Sequence, residues 1–103
     1  MYTICFYVPV KDAETVKNAM FKAGAGKIGH YCCCAWQTLG EGQFLPLEGS
    51  HPHLGIQFHL QKAEEYKVEM VCIEECIQDV IAALRMSHPY EEPAYQVIRV
   101  EDF

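Results

Sequence analysis

Residues 66–84 read Tyr66-Lys67-Val68-Glu69-Met70-Val71-Cys72-Ile73-Glu74-Glu75-Cys76-Ile77-Gln78-Asp79-Val80-Ile81-Ala82-Ala83-Leu84, and the change of period inside this stretch decides the fold. Tyr66, Val68, Met70 and Cys72 alternate with Lys67, Glu69 and Val71, the two-residue period of a strand. Ile77, Val80, Ile81 and Leu84 then fall at i, i+3, i+4 and i+7, one face of a helix. Glu74 and Glu75 stand at its N-terminal end, where the helix dipole favours them. Pro89 stops the helix, because the residue before a proline is pushed out of the α region. Tyr95 to Val100 supplies a closing strand.

Outward from there, the first part of the chain repeats the same syntax. Tyr2 to Val8 is rich in aromatic and β-branched residues and reads as a strand that Pro9 ends. Asp12 is placed to cap a helix in which Ala13, Val16, Ala19, Met20 and Ala23 form the apolar stripe, with Gly24 and Gly26 at its exit. Tyr31 to Leu39 reads as a strand turning at Gly40-Glu41-Gly42 into an extended return through Phe44 and Leu47. Residues 49–62 are polar, carry Pro52, Gly55 and three histidines, and show no sustained period, as a long loop or a short hairpin extension would. The order β-α-β-β-α-β predicts a single α+β domain over residues 1–103 of ferredoxin-like type: a four-stranded antiparallel sheet with two helices on one face. The opposite face, with Thr3, Cys5 and Tyr7, is too apolar for water, so self-association is expected.

Composition narrows the partners. The 103 residues carry 14 acidic against 8 basic side chains, a formal charge of −6. The scattered lysines and arginines make nucleic acid and anionic membrane surfaces poor partners. No basic n-region with a long apolar stretch opens the chain, and no run is long enough to cross a bilayer. The expectation is a cytoplasmic protein whose six cysteines are free thiols.

Four motifs bear on chemistry. Gly24-Ala25-Gly26-Lys27-Ile28-Gly29 matches G-x-G-x-x-G, but a helix precedes it and a strand follows, so it reads as a helix exit rather than a phosphate loop. Cys32, Cys33 and Cys34 on a strand would place Cys32 and Cys34 on one side, as a soft-metal pair or as ordinary small core residues. His51, His53 and His59, joined by His30, are the stronger candidates for a divalent metal, copper or zinc, since imidazoles at i, i+2 of an extended segment project together; simple solvent-exposed loop histidines are the alternative. His88-Pro89-Tyr90-Glu91-Glu92-Pro93-Ala94-Tyr95 has its backbone fixed by two prolines. One of its glutamates could accept hydrogen bonds that tie the linker down. Nucleophile chemistry has little support: neither Ser50 nor Ser87 lies in a G-x-S-x-G elbow, and a Cys-His pair has no local signature.

The His88-to-Tyr95 run resembles the segment before the last strand in the CutA family, trimeric proteins related in architecture to PII signalling proteins. Together with Gly24 to Tyr31, Cys34, Gly40 to Phe44, Pro46, Gly49, Pro52 and Gly55, it is similar to the PII/CutA-like domain inserted in bacterial Nif-three-like proteins, also called GTP cyclohydrolase I type 2 homologues. The likeness covers nearly the whole chain. It implies a non-catalytic, trimeric binding or sensory module without the di-metal halves of those longer proteins. Copper or another divalent metal, or a small molecule, would sit in a cleft around Gly40, Gly42, Phe44, His88, Tyr90, Glu91, Glu92 and Tyr95. A protein-assembly module with no ligand is the alternative, and a Cys-His enzyme a weaker one. Cys32, Cys33 and the histidine-rich 51–59 region depart from the family pattern.

Overall fold

The computed structural model describes residues 1–103. Its elements are β1 (Tyr2–Pro9), α1 (Ala13–Lys22), β2 (Trp36–Phe44), β3 (Gln61–Cys72), α2 (Ile77–Ser87) and β4 (Tyr95–Arg99), with one-turn 3-10 segments at Val10–Asp12 and Glu74–Cys76 leading into the helices. The strands form one antiparallel sheet in the order β2-β3-β1-β4. No helix is long and apolar enough to cross a membrane.

The period-2 pattern explains where the core sits. Ile4, Phe6 and Val8 of β1 lie opposite Met70, Val68 and Tyr66 of β3, so all six side chains share a face. The apolar stripes of both helices, Ala13, Val16 and Met20 from α1 and Val80 and Leu84 from α2, close over that face in one buried cluster. The ferredoxin-like arrangement expected from the order of elements is the one observed.

The glycine motif is a helix exit. Behind the C-cap Ala23, the Gly24 N–H bonds to the Phe21 carbonyl and the Ala25 N–H to the Met20 carbonyl, each at 3.1 Å. These are the paired bonds of a Schellman ending, with Gly24 at φ 119°. Gly26 is buried at φ 77°, and a Cβ there would press on the Phe21 ring at 2.8 Å. Its N–H meets the Val71 carbonyl at 2.8 Å, fastening the exit to the sheet.

Three local expectations are corrected. Gly40-Glu41-Gly42 is no turn: β2 runs straight through it, with Gly40 opposite Glu65 and Gly42 opposite Ala63. Cys32, Cys33 and Cys34 precede the strand instead of lying on it, and Cys33 takes a left-handed φ of 58°, which destroys the i, i+2 alignment. Asp12 occupies the N-cap position of α1 without making a cap hydrogen bond, and its Oδ2 is buried with no partner. The open face is also mixed rather than uniformly apolar. Trp36 and Ile98 share it with Glu65, Lys67 and Glu69, by the same register that sets the core.

Candidate functional site

β1 ends at Pro9, opposite Glu65, while β2 and β3 continue as a two-stranded arm. The segment from His88 to Ala94 leaves α2 and turns past the end of β1 before entering β4. It is pinned at both ends: the His88 N–H bonds the Leu84 carbonyl at 3.0 Å and the Tyr7 N–H bonds the Ala94 carbonyl at 3.3 Å. Two prolines in the segment suit this, because neither gap in the backbone donors has to be filled.

His88 is 6% exposed and holds the junction together. The Tyr90 N–H donates to Nδ1 at 3.1 Å, which makes Nδ1 an acceptor; Nε2, 2.7 Å from the Tyr7 carbonyl, is then the protonated nitrogen. The ring is thus a neutral imidazole spanning β1 and the linker. Burial pushes its pKa below the ordinary value, against the pull of the Tyr7 carbonyl and the Glu65 and Asp12 carboxyl groups. Because the folded state resists protonation, it binds fewer protons than the unfolded chain, and stability rises with pH. The contribution is fully present above the unfolded value near 6.5 and is lost as pH falls through the lower folded value. Urea unfolding across this range should show a midpoint that declines on acidification, and His88→Gln should flatten that decline. An unchanged slope in the variant would show that His88 is not its source.

Next to His88, the Tyr90 hydroxyl donates to Glu65 Oε2 at 3.0 Å. Glu65 is 9% exposed although it is a carboxylate on an open sheet face. Its burial has a local cause: Gly42 leaves the space that the carboxyl group fills, and a Cβ there would overlap it. Burial raises the Tyr90 phenol, and the Glu65 hydrogen bond and charge raise it further, so the hydroxyl stays a donor. The Tyr90 ring packs tilted on Phe44, with centroids 5.8 Å apart, and against His53 at 6.2 Å. The His51 N–H donates to Glu91 Oε1 at 2.8 Å and joins the 45–60 connection to the linker.

These groups wall a cavity of about 870 Å³ on the open face. Its floor is Tyr7, Thr38, Gly40, Gly42, Glu65 and Lys67, and its rim comes from Leu45 to His53 and from Tyr90 to Ala94. A few polar groups converging in an otherwise apolar concavity of this size is the usual form of a small-molecule site. Of the expected cleft residues, Gly40, Gly42, Phe44, Tyr90, Glu91 and Glu92 line it. His88 braces it from behind. Tyr95 packs against the core and accepts a 3.3 Å hydrogen bond from Arg85.

The expected metal ligands are dispersed. His53 is at the rim and His51 beside it, whereas His30, His59 and Cys32 are exposed elsewhere and Cys34 bonds weakly to the Cys32 carbonyl. No three His, Cys, Asp or Glu side chains come together in a geometry that could hold a metal ion. Within a single copy of the chain, the residues present do not assemble a copper or zinc site. Sequence reasoning missed Glu65, Tyr7, Thr38 and Lys67. A glycine inside a strand, Gly42, was the available signal that something large lies across it.

No family model matches the sequence. Over 91 residues, 88% of this chain, it is 43% identical to the GTP cyclohydrolase 1 type 2 homolog of Mycobacterium tuberculosis, of which the match covers 24%. It is 41% identical to the Bacillus subtilis homolog over 98 residues, 95% of this chain and 26% of that one. A solved Bacillus cereus protein related to NIF3 superposes with a TM-score of 0.84 at 36% identity, over 98% of this chain and 26% of the other. The divalent cation tolerance protein CutA from Archaeoglobus fulgidus superposes with a TM-score of 0.70 at 18% identity, over all of this chain and 87% of its own, which is a likeness of fold. This chain spans about a quarter of the length of its curated relatives. Along almost its whole length it is homologous to one segment of the Nif-three-like proteins named GTP cyclohydrolase 1 type 2 homologs, and it has the CutA-like fold.

Proposed function

We propose that this chain is a non-catalytic binding module that works as a homo-oligomer, most simply a trimer, with the open-face cavity as its ligand site. The single observation that carries the reading is the cavity itself, held in shape by the His88–Tyr90–Glu65 chain of hydrogen bonds and not by a catalytic pairing. Neither serine is free to act as a nucleophile, and one buried thiol is disfavoured as one. Ser50 and Ser87 donate to backbone carbonyls, and burial and Cys76 raise the Cys72 thiol, which disfavours a thiolate.

Self-association is supported by the same face. Trp36 is 68% exposed and Ile98 53%, while Lys67 and Glu69 alternate beside them in a pattern that two copies can satisfy in trans. Copies meeting there would roof the cavity. Sedimentation velocity of the reduced protein at micromolar concentration should return an oligomer, and Trp36→Glu should shift it towards monomer. A wild-type monomer would refute this reading.

A second reading, an assembly module without its own ligand, draws on Leu45, Leu47, Ile56, Phe58 and Leu60. All are at least half exposed along one connection, and such a strip suits a protein partner. A clean oligomer in which the cavity answers no small molecule would favour it.

A further inference from the structure

We infer that the open-face cavity takes an organic cation, an ammonium or guanidinium group on a small apolar body. The inference rests on the reading of that cavity as a ligand site. The carboxylates of Glu65, Glu69, Glu91 and Glu92 belong to the lining of the cavity, against the single lysine Lys67. Neither of the two ion pairs in the molecule, Lys17 with Glu14 and Arg99 with Glu74, involves any of these groups. Their charges therefore add, in a chain already at −6, and a concave site with low-dielectric walls focuses such a field.

Glu65 turns this general attraction into a position. It is nine-tenths buried, the Tyr90 hydroxyl holds Oε2, and no donor of the protein meets Oε1, which lies over Gly42 on the cavity floor. A carboxylate oxygen that faces the cavity and is left without a protein donor is satisfied best by a charged N–H of a ligand. The aromatic rings of Phe44, Tyr90 and Tyr7 border the same space, and their faces attract cations. The carboxylates are too dispersed to converge on one metal ion. Spread around an 870 Å³ cavity, they suit a cation whose charge and body are larger.

The test is a heteronuclear NMR titration of the reduced protein with benzylammonium, alongside benzyl alcohol and benzoate as its neutral and anionic counterparts. Benzylammonium should move the Gly40, Gly42 and Tyr90 amide resonances saturably, and benzoate should not. Glu65→Gln, which keeps an oxygen for the Tyr90 hydroxyl, should weaken binding by about tenfold or more. Equal binding of benzyl alcohol or benzoate at those resonances would overturn the cation inference and leave the ligand site standing. Undiminished binding by Glu65→Gln would overturn it as well. If none of the three compounds moves those resonances, the inference and the ligand-site reading both fail.

Discussion

Phe6→Ala is expected to cost about 3–5 kcal/mol of folding stability, the largest effect of any single truncation in the sheet. Phe6 is fully buried at the centre of β1, between Val68 of β3 and Tyr95 of β4 and beneath both helices. Three elements of the sheet and two helices fix its surroundings, so little can collapse into the space the ring leaves. Domains of this size have total stabilities of about 5–15 kcal/mol, so the loss removes a large share of the margin. Denaturant unfolding at fixed protein concentration should show a lower midpoint with an unchanged slope. A loss under about 1 kcal/mol would contradict the placement of this ring in the core.

Tyr90→Ala is expected to cost about 2–4 kcal/mol and to dismantle the cavity. The substitution removes the ring that packs on Phe44 and His88 and takes the hydroxyl from a carboxylate that is nine-tenths buried. Tyr90→Phe separates the two contributions. It keeps the ring and strips only the donor, and should cost about 1–3 kcal/mol, the desolvation penalty of a group left unmatched. If Tyr90→Phe is neutral, the hydroxyl–carboxylate bond contributes nothing and Glu65 is stabilised by some other means. The two variants are compared by the same unfolding measurement, with the Gly42 and Phe44 resonances reporting whether the cavity wall persists.

What the sequence disclosed and what it concealed follow from the range of the interactions involved. The period-2 run from Tyr66 to Cys72 and the helical stripe from Ile77 to Leu84 are local patterns, and both elements formed where those patterns lie. Pro89 and the Gly24 exit are local too. Gly40 and Gly42 misled, because both were read as chain punctuation, whereas both lie inside a strand and Gly42 makes way for Glu65 from the neighbouring strand. Cys33 misled for a related reason: a left-handed residue inside an apolar run breaks the strand without announcing it in composition. In the His88–Tyr95 run, a glutamate did tie the linker down, since Glu91 receives the His51 N–H. The acceptor for the tyrosine hydroxyl came instead from position 65, a partner 25 residues away that no local reading could have supplied.

The arm formed where β1 stops has a dynamic consequence. Residues Gln61 to Glu64 of β3 pair only with Glu41 to Phe44 of β2, at one end of a molecule 46 Å long and 24 by 23 Å across. No third strand braces that stretch, and a two-stranded ribbon in water is marginal by itself. The arm is therefore a unit that can fray while the helix-covered centre of the sheet stays closed, with its own opening equilibrium far below the global one. Gly42 and Phe44, two walls of the cavity, belong to the part that frays. Access to the buried carboxylate is thus expected to be a matter of rate as well as of shape, with the arm opening while the core keeps its place.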